Sequence, residues 1–135
     1  VAPPGGRVSA TSTSSPAARA RTWIADRLEA AGIAATLDAG AFFPQPNGVI
    51  VGLPTLTARG LGSRSYSIPV DVVSGDPLNS ELAVDRLYAL ADDVALACHC
   101  DAYRPTSWRG GVNAEPLPSI QLTATVTVPE EVPAS

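Results

Sequence analysis

Apolar and polar positions alternate most cleanly near the end of the chain. There Ile120, Leu122, Ala124, Val126 and Val128 are interleaved with Gln121, Thr123, Thr125 and Thr127. A period of two sets one face of a strand toward a core and the other away from it, so residues 119–128 are predicted to be a half-buried strand. Two other segments follow the helical period. Ala20, Trp23, Ile24, Leu28 and Ala31 share one face of a helix. Ser15 is placed to cap it, Pro16 takes its first turn and Gly32 ends it. Leu82, Leu87, Leu90, Ala91, Val94 and Cys98 form the stripe of a second, longer helix, starting at Asn79 or Ser80 and running to about Cys98.

Between the helices the pattern is β-like. Ile33 to Leu37 reads as a short strand. Val49, Ile50, Val51 and Leu53 form an apolar run up to Pro54, which Leu56 extends after a kink. Residues 58–65 are a Gly-rich connection between β-type runs, and so the tip of a hairpin. The returning strand is Tyr66–Val73, where Pro69 points to a sheet edge or a bulge. Residues 39–47, with Phe42 and Phe43, and residues 101–118, with Tyr103, Arg104, Trp108 and Arg109, read as loops. The expected fold is α+β: a mostly antiparallel sheet of about four strands covered by two helices. Residues 1–14 are expected to be a flexible arm, 15–128 one domain, and 129–135 a flexible tail.

Composition narrows the function. The 135 residues carry a net charge of −4 and no methionine, and all 9 basic residues are arginine. An acidic chain without a basic run is a poor nucleic-acid binder, because phosphate neutralisation needs clustered positive charge. DNA is therefore expected at most as a passing cargo. The longest stretch without charge, between Asp38 and Arg59, is broken by Pro44, Pro46, Gly48, Gly52 and Pro54, which excludes a membrane helix. Val1 to Ser15 has no apolar core of a secretion signal. A soluble protein made in the cytoplasm is expected.

Candidate chemistry is sparse. Cys98-His99-Cys100 brings three metal-binding residue types together, but consecutive residues point in different directions, and no other Cys or His completes a zinc set. Cys98 is better read as the end of the helical stripe, with His99 at the negative helix terminus. His99 is the only histidine, and no Gly-x-Ser-x-Gly elbow is present. Asp71 and Asp76 flank a turn; Asp92 and Asp93 read as a solvated helix face. Gly60-Leu61-Gly62 lacks the remaining parts of a phosphate loop. No catalytic residue, cofactor or metal is expected. Arg59 and Arg64 at the hairpin, and Tyr103, Arg104, Trp108 and Arg109 in the long loop, are of types that anchor protein interfaces. Solvated arginines, and a Trp108 that plugs the core beneath its loop, are the structural alternatives.

With this order of elements, residues 16–128 resemble the tail terminator proteins of long-tailed (siphovirus-type) phages, especially those of actinobacterial hosts. The resemblance is carried by the first helix ending in "RLEAAGIAAT", the β-rich "GVIVGLPTLT", the long helix "LAVDRLYALADDVALA" and the final strand "IQLTATVTV". It implies a structural virion protein, assembled in the host cytoplasm. Its copies would form a ring, expected to be a hexamer, that caps the last ring of tail-tube protein, stops elongation and offers a surface to the head–tail connector or stopper. It implies no catalytic residues. Its inter-subunit contacts would fall near Arg59–Tyr66 and Tyr103–Trp108. The alternatives are another neck or tail component (a head-completion or tail-tube protein), a small carboxylate- or Cys-dependent enzyme, or an unrelated binding module.

Overall fold

The computed structural model describes residues 15–38, 44, 47–75, 80–100, 102–110 and 113–129. The expected arm (1–14), Phe42, Phe43, Asp76, Asn79 and residues 130–135 of the expected tail lie outside them. In chain order the elements are α1 (Pro16–Ala30), β1 (Ala35–Thr36), β2 (Asn47–Val51), β3 (Thr55–Gly60), β4 (Ser63–Ser74), α2 (Glu81–Cys98), β5 (Arg104–Gly110) and β6 (Asn113–Pro129).

Both helices begin as their sequences dictate. The Ser15 hydroxyl accepts from the Ala18 N–H at 3.1 Å and the Ser80 hydroxyl from the Ala83 N–H at 3.2 Å. Each satisfies a backbone donor that the first turn leaves without a partner. Helix α1 closes at Gly32, which takes φ +83°, and the Ile33 N–H returns to the Leu28 carbonyl at 2.8 Å. Helix α2 closes on His99, which adopts φ 56°, a left-handed conformation rare for a residue with a side chain.

The strands form one mixed six-stranded sheet in the order β1-β2-β4-β6-β5, with β3 on the same edge of β4 as β2. Only β1 and β2 run parallel. The α+β class holds, but there are more strands than the expected four, for two reasons. First, Gly52–Pro54 breaks the Val49–Leu56 run, so β2 pairs with residues 70–74 of β4 and β3 with residues 63–67. Second, residues 104–110 are a strand and not a loop. Strand β5 pairs antiparallel with a β6 that begins at Asn113, well before Ser119. It lies at the sheet edge, a setting where a strand tolerates Pro105 and needs no apolar alternation.

Pro69 lies in a central strand, but between the stretches that pair with β2 (70–74) and β3 (63–67), so on that side it has the open position expected of a strand proline. Its carbonyl accepts from the Gly52 N–H at 2.8 Å, so its nitrogen faces the break between β2 and β3. There no ladder bond is lost for want of an N–H.

Both helices cover one face of the sheet. Ile24 and Leu28 of α1 and Val94 of α2 are fully buried against Ile68, Val70 and Val72 of β4 and Leu122 and Ala124 of β6. Each fully buried aliphatic side chain contributes about 1.5–3 kcal/mol. Arg21 joins α1 to the sheet, donating to the carbonyls of Leu37, Val51 and Gly52 at 2.7–2.9 Å. Among the large residues of the expected helix stripes, Trp23 is 44% exposed and Leu82 57%. Leu82 sits on the side of α2 opposite Leu87, Ala91, Val94 and Cys98, and Trp23 at the margin of the Ala20, Ile24 and Leu28 stripe, so each buried stripe is narrower than expected. Ala31 is likewise exposed, as the C-cap of α1.

The other sheet face is polar over much of its area. Ser65 and Thr127 share a hydrogen bond at 2.9 Å, and Gln121 donates to Asp71 at 3.1 Å. A small apolar group, Ile50, Val73 and Leu117, sits at one end with Trp108 packed on it.

Candidate interaction surfaces

The predicted site residues fall into two groups, and the fold does not bring them together. Arg59 and Arg64 face each other across the β3–β4 hairpin, Arg59 exposed and Arg64 half-buried. Tyr66, two pairs further in opposite Leu56, is 5% exposed and belongs to the helix-side core. Tyr103 precedes β5, and Arg104, Trp108 and Arg109 lie on it, beyond β6 from the hairpin. Arg104 and Arg109 are exposed. Trp108 is half-buried against the Ile50, Val73 and Leu117 group, so it plugs the open sheet face. The Tyr103 hydroxyl donates to the Asp92 carboxylate of α2. That bond, and the negative charge accepting it, push the Tyr103 pKa up from 10.0 to about 12.

The apolar exposure of the hairpin edge was not legible in the sequence. All six residues of β3 are exposed. Leu56 is 46% exposed, Leu53 just before the strand 75%, and Leu61 at the turn is fully exposed. Helix α2 also turns Leu82, Tyr88 and Leu96 outward, with Leu96 79% exposed. Among the described residues β3 pairs only with β4, which leaves its other edge as a template for another strand or loop.

Candidate catalytic groups do not converge. Among the described residues, no three His, Cys, Asp or Glu side chains are placed to hold a metal ion. Cys98 is 4% exposed and closes the core beside α1. The neighbouring Cys100 thiol lowers its pKa, Arg27 adds in the same direction and burial opposes both. Asp71 does not flank a turn: it lies inside β4, opposite Gln121. Burial raises its pKa above the ordinary 3.8, and the Gln121 hydrogen bond works against that rise. His99 contacts Arg27, Nε2 to guanidinium, at 3.4 Å, and Arg27 also stacks 5.0 Å above the Trp23 ring. Beside them lies a groove of about 410 Å³, floored by Ala30, Ala31 and Ala97.

No helix among the described residues is long and apolar enough to cross a membrane. No known protein family, curated protein or solved structure matches the chain.

Proposed function

We propose that this chain is a structural virion protein, a tail terminator whose copies form a ring that caps the tail tube, stops its elongation and joins the tail to the head connector. The observation that carries this reading is the β3 edge, which no other described strand covers: six exposed residues bracketed by the exposed Leu53 and Leu61. A stable monomer usually blunts such an edge, whereas an assembly subunit uses it. The two-layer body supplies stiffness, and the β3 and β5 edges lie on opposite sides of it. That layout suits a subunit with a different neighbour on each side. A net charge of −4 lets DNA pass such a ring without adhering.

The test is the solution mass of the purified protein by light scattering, alone and with tail-tube protein. A closed ring, or a monomer that forms one ring on the tube and halts its growth, is expected. Open-ended polymers would instead identify a tube subunit, and a monomer indifferent to tube protein would overturn the reading. The raised pKa of Asp71 is the one observation that favours a carboxylate enzyme. On that reading Asp71→Asn abolishes an activity while leaving assembly intact.

A further inference from the structure

The outward face of α2 and the β3–β4 hairpin are complementary in chemistry. Leu82, Ala89 and Leu96 recur every seven residues of α2, all exposed, opposite the buried Leu87, Ala91, Val94 and Cys98. At 1.5 Å per residue the stripe is about 21 Å long. Exposed Asp85 and Asp92 flank it on one side and exposed Asp93 on the other, with Arg86 the helix's only base. Asp92 already accepts from Tyr103, which leaves Glu81, Asp85 and Asp93 as the outward carboxylates, with Arg86 on the same flank as Asp93 and the face acidic on balance.

The hairpin has the opposite character. It exposes Leu56, Arg59 and Leu61, and between Leu53 and Ser67 its only charged residues are Arg59 and Arg64. At about 3.3 Å per residue, Leu56 to Leu61 spans roughly 16 Å, which fits within the helical stripe.

We propose that the β3–β4 hairpin of one copy docks along the Leu82–Leu96 face of α2 on a second copy, leucines against leucines and Arg59 against Asp85 and Asp93. The inference rests on the ring reading above and names the contact that builds the ring. A second copy is the occupant because one chain carries both halves, and the halves are unlike and oppositely charged. Pairing two hairpins would set arginines against arginines; pairing two α2 faces would set carboxylates against carboxylates. The contact therefore joins unlike patches, and its repetition closes into a ring or runs on as a filament.

The full chain is tested by light scattering under the conditions in which the wild type assembles. Arg59→Glu alone, and Asp85→Arg with Asp93→Arg, are each expected to reduce the assembled fraction at least tenfold. Combining all three substitutions, which reverses both halves, is expected to restore it. Circular dichroism checks that each variant is folded. In the assembled protein, a mixture of Leu61→Cys and Leu96→Cys variants is expected to form a disulfide between copies that neither variant forms alone. Assembly at wild-type level by both charge variants, failure of the folded triple variant to recover, or absence of the cross-link overturns the docking surface while the ring reading stands. A wild type that assembles neither alone nor on tube protein overturns both.

Discussion

Gly52 lies so close to Pro69 that a Cβ at position 52 would stand 2.7 Å from the proline Cγ and 3.2 Å from its carbonyl oxygen. The Gly52 N–H donates to that same carbonyl. This contact lets one long edge of β4 take two successive partners, β2 and then β3. The close approach comes from a rigid ring and from backbone, neither of which yields cheaply. Gly52→Ala is expected to cost about 1–3 kcal/mol, the usual range for overpacking. Urea denaturation followed by circular dichroism would measure it as a lower midpoint at unchanged slope.

Arg21 holds the same junction from the helix side, donating to three carbonyls, those of Leu37, Val51 and Gly52. Two of these bonds are partly shielded from water, and the donor is charged, which makes them stronger than neutral bonds. Arg21→Met keeps most of the aliphatic stem and removes the donors. A loss of about 2 kcal/mol is expected in the same denaturation experiment. Arg21→Lys would recover only part of it, since an ammonium cannot reach three carbonyls as a planar fork does.

How much of this could be read in the sequence follows the physics of burial. Ile68, Val70 and Val72, and Ile120 to Val128, alternate because β4 and β6 are central and one face of each lies under the helices. The caps at Ser15 and Ser80 were legible because an N-cap needs a specific hydroxyl. The β3–β4 hairpin was legible from its Gly-rich tip, but not how far β3 runs, since nothing in Thr55–Gly60 is buried; β5 was not legible at all, since Arg104–Gly110 leans on β6 from the edge. Edge strands owe their conformation to the neighbour's backbone, which leaves no mark on their own side chains. Trp23 lies at the margin of the α1 stripe, and Leu82, five residues before Leu87, falls on the opposite side of α2, so an apolar side chain in a helix is not by itself a core position. Of the candidate interface residues, Arg59, Arg104 and Arg109 are exposed and Arg64 is half-buried. Tyr66 was legible as part of the returning strand, but its burial depends on register, which pairs it with Val126 beneath α1.

Asp71 gives a pH signature with a defined sign. Its folded pKa is raised because burial disfavours the charged carboxylate. Between the unfolded and folded values, the native state then holds more protons than the unfolded one. Stability from this group is thus highest at low pH and falls as pH rises through the folded pKa. Asp71→Asn keeps an oxygen that can accept from Gln121 and removes the charge. The variant is expected to be at least as stable as wild type at pH 7, with its advantage vanishing as pH drops below the ordinary 3.8. Thermal midpoints taken from pH 7 to pH 3.5 would show the two curves converging; a gap that widens on acidification would contradict the assignment.

Tyr103 reports on the contact between α2 and the entry to β5. Its hydroxyl donates to Asp92, and deprotonation would place a phenolate beside a carboxylate, which is why its pKa rises to about 12. The sign follows directly. The native state retains this proton between pH 10 and pH 12 while the unfolded chain loses it, so the group's contribution is complete below pH 10 and is lost as pH rises toward 12. Tyrosinate absorbance separates this group from the other two tyrosines, Tyr66 and Tyr88, through a Tyr103→Phe difference titration. A transition near pH 12 is expected to disappear in that variant. Asp92→Asn removes the accepting charge and is expected to bring the Tyr103 transition back toward 10, whereas an unchanged transition would mean that Asp92 does not hold the hydroxyl in solution.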